Sequence, residues 1–280
     1  MIPGSANPLL LGQTDAGGYE IERSLRFNRA DTAYLNRTPS AAGNRKTWTW
    51  SGWVKRSKIS ESPEAIIFGA GTSGYDNLGS LSFESDDQLR AMSYSGGYVW
   101  QKISTAVFRD PSAWYHIVYS VDTTNSTAED RVRLYVNGVR LTEFATNANP
   151  SQNAEAAHIN STSTHYINKY IQLNTYGSPY LADVHFIDGQ ALTQTDFGEL
   201  DDDNVWQPKK FAGAYNYAGS SGSTNYTNIS TLAALSGSTL NSSYNDVSKV
   251  FDGSGTGVRT VEETSNQGEK LSISFSPAIT

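Results

Sequence analysis

The chain is 280 residues long, carries a formal net charge of −7 and contains no cysteine. The missing thiols exclude disulfides and thiolate metal sites. The acidic balance, with no basic run longer than Lys209-Lys210, argues against a nucleic-acid surface. A chain of this length suits one large β domain, or one plus part of a second, with a core that needs no staples.

Residues 1–22 open without a charged leader, and Leu9, Leu10 and Leu11 are too few for a signal core or a membrane span. A soluble chain without an N-terminal export signal and without membrane insertion is expected. Pro3, Pro8, Gly12 and Gly17-Gly18 interrupt any regular element, so the three leucines form an apolar bead that nothing local buries. Residues 1–22 therefore read either as a disordered end or as a docking arm that orders against a partner subunit.

Strands are expected at 24–27 and 32–37. In the next, Trp48, Trp50, Gly52 and Val54 share one face, and Thr49, Ser51, Trp53 and Lys55 the other. Strands follow at 65–68, 78–84, 88–94 and 98–106, each bounded by Gly, Ser, Asn or Asp. Residues 107–112, with Pro111, form a turn. The central stretch is residues 114–141. Its first strand places Ile117, Tyr119 and Val121 on one face and Trp114, His116 and Val118 on the other. Its second alternates Val132, Leu134 and Val136 with Arg131, Arg133, Tyr135 and Asn137. A period of two over both strands predicts a sheet with one dry face. The polar loop 122–130 joins them, and Asn137-Gly138 supplies the positive-φ pair of a tight primed turn, which folds residues 139–141 straight back.

Residues 146–164 are polar and aperiodic and are assigned to a long surface loop. Strands return at 164–172 and 180–188, the latter with Val184 and Phe186 inward. Thr193 followed by Asp196 predicts one short helical turn, the only helix expected. The fold class is all-β: an antiparallel jelly-roll β-sandwich over residues 23–206, preceded by the arm. Residues 207–246, rich in Gly, Ser, Thr, Asn and Tyr, read as a linker. Residues 247–280 recover strand character and read as the start of a second β module or a strand-exchanging tail.

The order of motifs SLRF (24–27), TWTWSGWVKR (47–56), WYHIVYSVD (114–122), RLYVNG (133–138) and YLADVHFIDGQALT (180–193) resembles a laminin-G-like domain of the concanavalin A-like lectins. Trp53-Val54 and the Trp114, His116, Asp122 spacing carry much of the likeness. His116 and His185 fall at positions that the resemblance implies are structural. The wording of MIPGSANPLLL, RSLRFN, FRDPSAWYHIVYSVDTT and FIDGQALTQTDFGE is similar to tail-fibre and other virion proteins of marine tailed phages. KVFDGS and GEKLSISFSP more weakly resemble the start of a discoidin-like module.

That resemblance implies a virion structural protein of tail-fibre or decoration type, attached through Leu9, Leu10 and Leu11 and displaying a lectin-like sandwich. Its implied partners are other virion proteins, copies of itself as a homotrimer, and a host-surface glycan. A free-standing lectin is the alternative reading, and a glycan-cleaving enzyme the third. Sugars are held by aromatic faces and convergent Asn, Asp and Gln side chains. Among 16 Tyr and 6 Trp, the candidate glycan contacts are Tyr75, Asp76 and Asn77, Tyr98 and Trp100, and Asn174 and Tyr176. Against an enzyme, the closest approach to a paired-carboxylate motif is Glu84-Ser85-Asp86-Asp87, which lacks a third carboxylate. The four histidines have no metal-binding spacing. A calcium site is weighed on Asp76, Asn77 and Asp122 and not favoured, since hard cations want six to eight oxygens; no cofactor is expected.

Overall fold

The computed structural model describes residues 18–62, 64–72 and 77–215. Its strands in chain order begin with β1 (Leu25–Arg26), β2 (Leu35–Arg37), β3 (Thr47–Arg56), β4 (Ala65–Gly71), β5 (Asn77–Phe83), β6 (Gln88–Ser95), β7 (Tyr98–Val107) and β8 (Trp114–Asp122). They continue with β9 (Val132–Val136), β10 (Val139–Arg140), β11 (Phe144–Ala148), β12 (His165–Ile167), β13 (Lys169–Tyr170), β14 (Thr175–Tyr176), β15 (Pro179–Asp188), β16 (Gly198–Leu200) and β17 (Trp206–Pro208). A six-stranded sheet, β1-β15-β3-β8-β9-β10, packs on a seven-stranded sheet, β11-β7-β6-β5-β4-β12-β2, with antiparallel pairing throughout. The fold is the expected jelly-roll sandwich.

Strand β8 is the axis of the six-stranded sheet. Tyr119 pairs with Trp50 on one side and Leu134 on the other, so alternate residues of three strands meet in one layer. Trp48, Trp50, Val54, Ile117, Tyr119, Val132 and Leu134 are buried there against Phe68, Leu81, Phe83, Leu89 and Trp100 of the facing sheet, with Phe186 packed alongside. Each large side chain withdrawn from water contributes about 2–3 kcal/mol. Asn137 and Gly138 take φ of 48° and 81°, the primed turn that returns β10 onto β9. A Cβ at Gly138 would lie 2.4 Å from the Trp206 ring, so glycine is required there for space as well as conformation.

Both faces of the six-stranded sheet are dry, where the alternation predicts one. Val118, Tyr135 and Ile187 point away from the main core and form a second cluster with Phe197, against which Leu192, Phe211 and Tyr215 pack. Thr49 lies fully buried beneath this cover, donating to Gln190 O (2.7 Å) and accepting from Leu192 N (2.8 Å). Phe211 and Tyr215 lie beyond residue 206 and still belong to this apolar layer.

Residues 146–164 are also not the surface loop expected. Their first part continues β11, an edge strand on β7, and Ala156 and Ile159 are fully buried in the main core. Arg45 holds this segment down, donating from Nε to Ala156 O (2.8 Å) and from a terminal nitrogen to Ala157 O (3.0 Å). Ala156 and Ile159 lie in a polar stretch whose few apolar residues follow no period, which is why alternation does not reveal them.

The turn at Gln194–Asp196 forms as expected, with the Asp196 carboxylate accepting from Thr193 N at 2.7 Å. It is a 3-10 turn, and the described residues contain two more, Arg29–Asp31 and Ala128–Asp130, so the single helix expected becomes three short turns. Leu9, Leu10, Leu11, Tyr75, Asp76 and the strands expected within 247–280 lie outside the described residues.

Candidate functional site: a tyrosine cluster around Lys169

Asn168 builds the site. It follows β12 with φ of 62°, a left-handed conformation that Asn tolerates and that turns the chain out of the sheet. Its fully buried side chain donates to Ala33 O (2.9 Å) and Gly177 O (3.1 Å) and accepts from Gly177 N (3.1 Å). Those three bonds pin the β13–β14 hairpin to the segment leading into β2.

The hairpin pairs Lys169 directly with Tyr176, so the two side chains share a face. Tyr166 alternates with the inward-facing Ile167 of β12, and Tyr34 precedes the inward-facing Leu35 of β2; both rings therefore emerge on the side away from the main core. The Lys169 ammonium lies 4.4 Å from the Tyr34 ring centre, 5.3 Å from Tyr166 and 5.8 Å from Tyr176. The Tyr34 ring is 6.1 Å from Tyr166 and 5.8 Å from Tyr176. Tyr176 Oη donates to Asn174 Oδ1 (3.0 Å), and Asn174 stands exposed with φ of 49°.

All three tyrosines and Lys169 are half-buried. Burial pulls the pKa of the Lys169 ammonium below its ordinary value. Burial, with Tyr34 beside it, pushes the Tyr176 phenol up. Cation–π contacts of this geometry contribute about 0.5–2 kcal/mol. The arrangement offers partly exposed aromatic faces, an amide and a cation in one place.

The predicted contacts divide. Asn174 and Tyr176 come together here. Tyr34, Tyr166 and Lys169 were missed, although their alternation with Leu35 and Ile167 is a signal that they face outward. Tyr98 is 53% exposed at the β6–β7 hairpin, its ring edge-on to Tyr94 at 4.9 Å. Asn77, opposite Ser95, begins β5 at the same end of the sheet. Strand β7 is four strand spacings from β12, roughly 19 Å, so this is a separate surface. Trp100 is a correction: it is fully buried in the main core and donates from Nε1 to Tyr119 Oη at 2.6 Å, out of reach of any sugar.

A profile of the concanavalin A-like lectin/glucanases superfamily, of laminin-G type, matches residues 29–196. The chain belongs to this superfamily. Among solved structures it is similar to a native heptameric SAP-like pentraxin from Limulus polyphemus (18% identity, TM-score 0.40, covering 63% of this chain and 75% of that one). It is also similar to domains LG4-5 of the mouse laminin alpha1 chain (13%, TM-score 0.42, covering 71% and 47%). Trypanosoma rangeli sialidase is a third (16%, TM-score 0.38), of which the chain spans 22% with 54% of its own residues. A comparison with curated protein sequences finds no significant match.

Glycosidases work with a pair of carboxyl groups flanking the bond they cleave, and the carboxylates of the acidic run here are engaged in a turn and in ion pairs. Residues 84–87 form the β5–β6 turn, closed by Glu84 N to Gln88 O (2.9 Å) and Asp87 N to Glu84 O (3.0 Å). Asp87 is fully buried. Burial alone would raise its pKa, but donation from Ser60 N, Arg109 and Arg56 holds the carboxyl down at about 2. Glu84 lies 2.7 Å from Arg90, which also binds Glu64. Burial pushes the Glu84 pKa up against the pull of Arg90.

Ser51 and His116 are 2.9 Å apart, the spacing of a nucleophile and its base. The indole of Trp206, a donor only, gives its proton to His116 Nδ1 at 3.0 Å. Nε2 must then carry the ring proton and donate to Ser51, so the imidazole has no lone pair to accept a serine proton. Burial holds the His116 pKa at about 3, and Ser51 is fully buried. His165 is likewise neutral: Nε2 accepts from Asn160 N (2.8 Å) and Nδ1 donates to Ser163 O (2.8 Å). For calcium, Asp122 spends Oδ1 on Thr124 N (3.1 Å) and Thr124 Oγ1 (2.6 Å), and no group of three His, Asp or Glu side chains able to hold a metal occurs among the described residues.

Proposed function

We propose that this sandwich is a carbohydrate-binding module whose sugar contacts are Tyr34, Tyr166 and Tyr176, with Asn174 supplying hydrogen bonds. The observation that carries this reading is the convergence of three half-buried rings from three separate segments beside an exposed amide. Such a cluster adds little to a core already filled by Trp48, Trp50 and Trp100, but it suits the C–H faces of a sugar. The reading is of binding without turnover, consistent with the engagement of Glu84 and Asp87 by arginines.

The quoted likeness to tail-fibre proteins of marine tailed phages supports the finer reading: a virion protein, assembled as a homotrimer, attached through residues 1–22 and displaying the sandwich toward host glycans. A glycan array tests the first reading. The wild-type chain is expected to bind and the Tyr34→Ala/Tyr176→Ala variant to lose at least tenfold in affinity; unchanged binding by that variant overturns it. Incorporation of a chain lacking residues 1–22 into particles tests the second, and undiminished incorporation counts against the arm. A chain that binds sugar yet never associates with particles is the free lectin.

A further inference from the structure

We infer that the tyrosine cluster selects acidic glycans, with the Lys169 ammonium pairing with a carboxylate or sulfate group on a sugar stacked against Tyr34, Tyr166 and Tyr176. The inference rests on the glycan-binding reading and adds the class of sugar.

Its basis is a contrast with the protein's buried cations and with Arg131. Arg56 pairs with Asp87 at 2.8 Å, Arg90 with Glu84 and Glu64, and Lys102 with Glu129 at 3.3 Å. Arg131, with no carboxylate, spends its guanidinium on the carbonyls of Asn125, Ser126 and Pro150. Lys169, like Lys46 and Lys55, is half-buried and makes neither an ion pair nor a side-chain hydrogen bond among the described residues; unlike them, it is surrounded by three ring faces. In a chain with 28 acidic and 21 basic residues, acidic partners are not scarce. Burial is the cause of the depressed pKa of Lys169.

The ammonium also keeps contact with solvent, since Nζ is not among the polar atoms sealed off without a partner. Ring faces fix a cation in position but accept weakly, which leaves its N–H donors available to a stronger acceptor. A sugar stacked on the rings brings its substituents to that nitrogen. An acidic substituent forms a charge-assisted bond there, whereas a neutral hydroxyl gains less. The protein as a whole is acidic, so long-range attraction does not draw the ligand in, and the preference is local to Lys169.

The test compares matched sugars: lactose, sialyllactose, sulfated lactose, and dextran against dextran sulfate, measured by calorimetry or on an array. The wild-type chain is expected to bind at least one acidic member tenfold or more tighter than its neutral match, with the preference shrinking as salt rises from 50 to 500 mM. The sialylated and sulfated arms distinguish a carboxylate from a sulfate. Lys169→Met should bring acidic and neutral sugars to the same affinity, and Lys169→Arg should restore the preference, which separates a lost charge from a collapsed site. Equal affinity of the wild-type chain for acidic and neutral sugars overturns the inference and leaves glycan binding standing. So does equal loss of both kinds in Lys169→Met. No binding to any sugar overturns glycan binding itself.

Discussion

The two outer faces of the sandwich are finished in opposite ways. Over the six-stranded sheet, residues 190–215 lay down Leu192, Phe197, Phe211 and Tyr215 and close a second apolar layer. Phe197 and Phe211 stack there at 5.1 Å, and Trp53 stacks on the ring of His116 while Trp206 bonds to its edge. Over the β12–β2 edge of the seven-stranded sheet, the cover is one short hairpin held by the Asn168 side chain, and it leaves three tyrosines and a lysine half open. A face sealed by apolar contact has little left to offer a ligand. A face covered through hydrogen bonds at one buried point keeps aromatic surface in reach of solvent.

That contrast is sharpest in what truncation does to each cover. Phe197→Ala should be the most damaging, costing about 3–5 kcal/mol, because a fully buried aromatic leaves a cavity that the sheet beneath cannot refill. Urea unfolding measures it, and a loss below about 1 kcal/mol would mean that the outer layer is not a true second core. Asn168→Ala comes next, at about 2–3 kcal/mol, since it strands buried backbone groups of Ala33 and Gly177 and puts alanine at positive φ. Unlike Phe197→Ala, it should abolish sugar binding even where the chain is still folded. Retained binding would detach the hairpin from the site.

The smallest of the three effects is on pH. His116 keeps its proton off until about pH 3 when folded, while the unfolded chain takes one up below about 6.5. The unfolded state thus binds more protons between those values, and stability falls as the solution is acidified through that window. At about 1.4 kcal/mol per unit, the loss reaches roughly 2 kcal/mol by pH 5. His165, held at about 4, acts in the same direction on the opposite sheet. Replacing His116 with Gln should flatten the slope between pH 7 and 5, as seen in chemical denaturation. An unaltered slope would place the titrating group elsewhere.

Much of the scaffold was legible in the chain itself. Alternation in residues 47–56, 114–122 and 132–136 marks the central strands, and Asn137-Gly138 and Thr193 with Asp196 mark a turn and a cap. These are short-range rules, enforced by sterics and hydrogen bonds among neighbouring residues. Alternation was silent on which faces are covered. Tyr98 and Trp100 have the same parity on β7, yet one stands at the open hairpin end and the other lies in the core bonded to Tyr119. Ala156 and Ile159, in a polar stretch, are buried for the same non-local reason.

The sequence by itself determined the sandwich and its central strands, because each follows from residues a few positions apart. Only the tertiary structure decided that residues 190–215 seal one face, that Trp100 is out of reach, and that Tyr34 and Tyr166 meet Lys169. Those outcomes depend on segments as many as 143 residues apart, such as Leu192 bonded to Thr49 and Asn168 bonded to Ala33. Which distant surfaces meet is fixed by the packing of two sheets, and no local period records it.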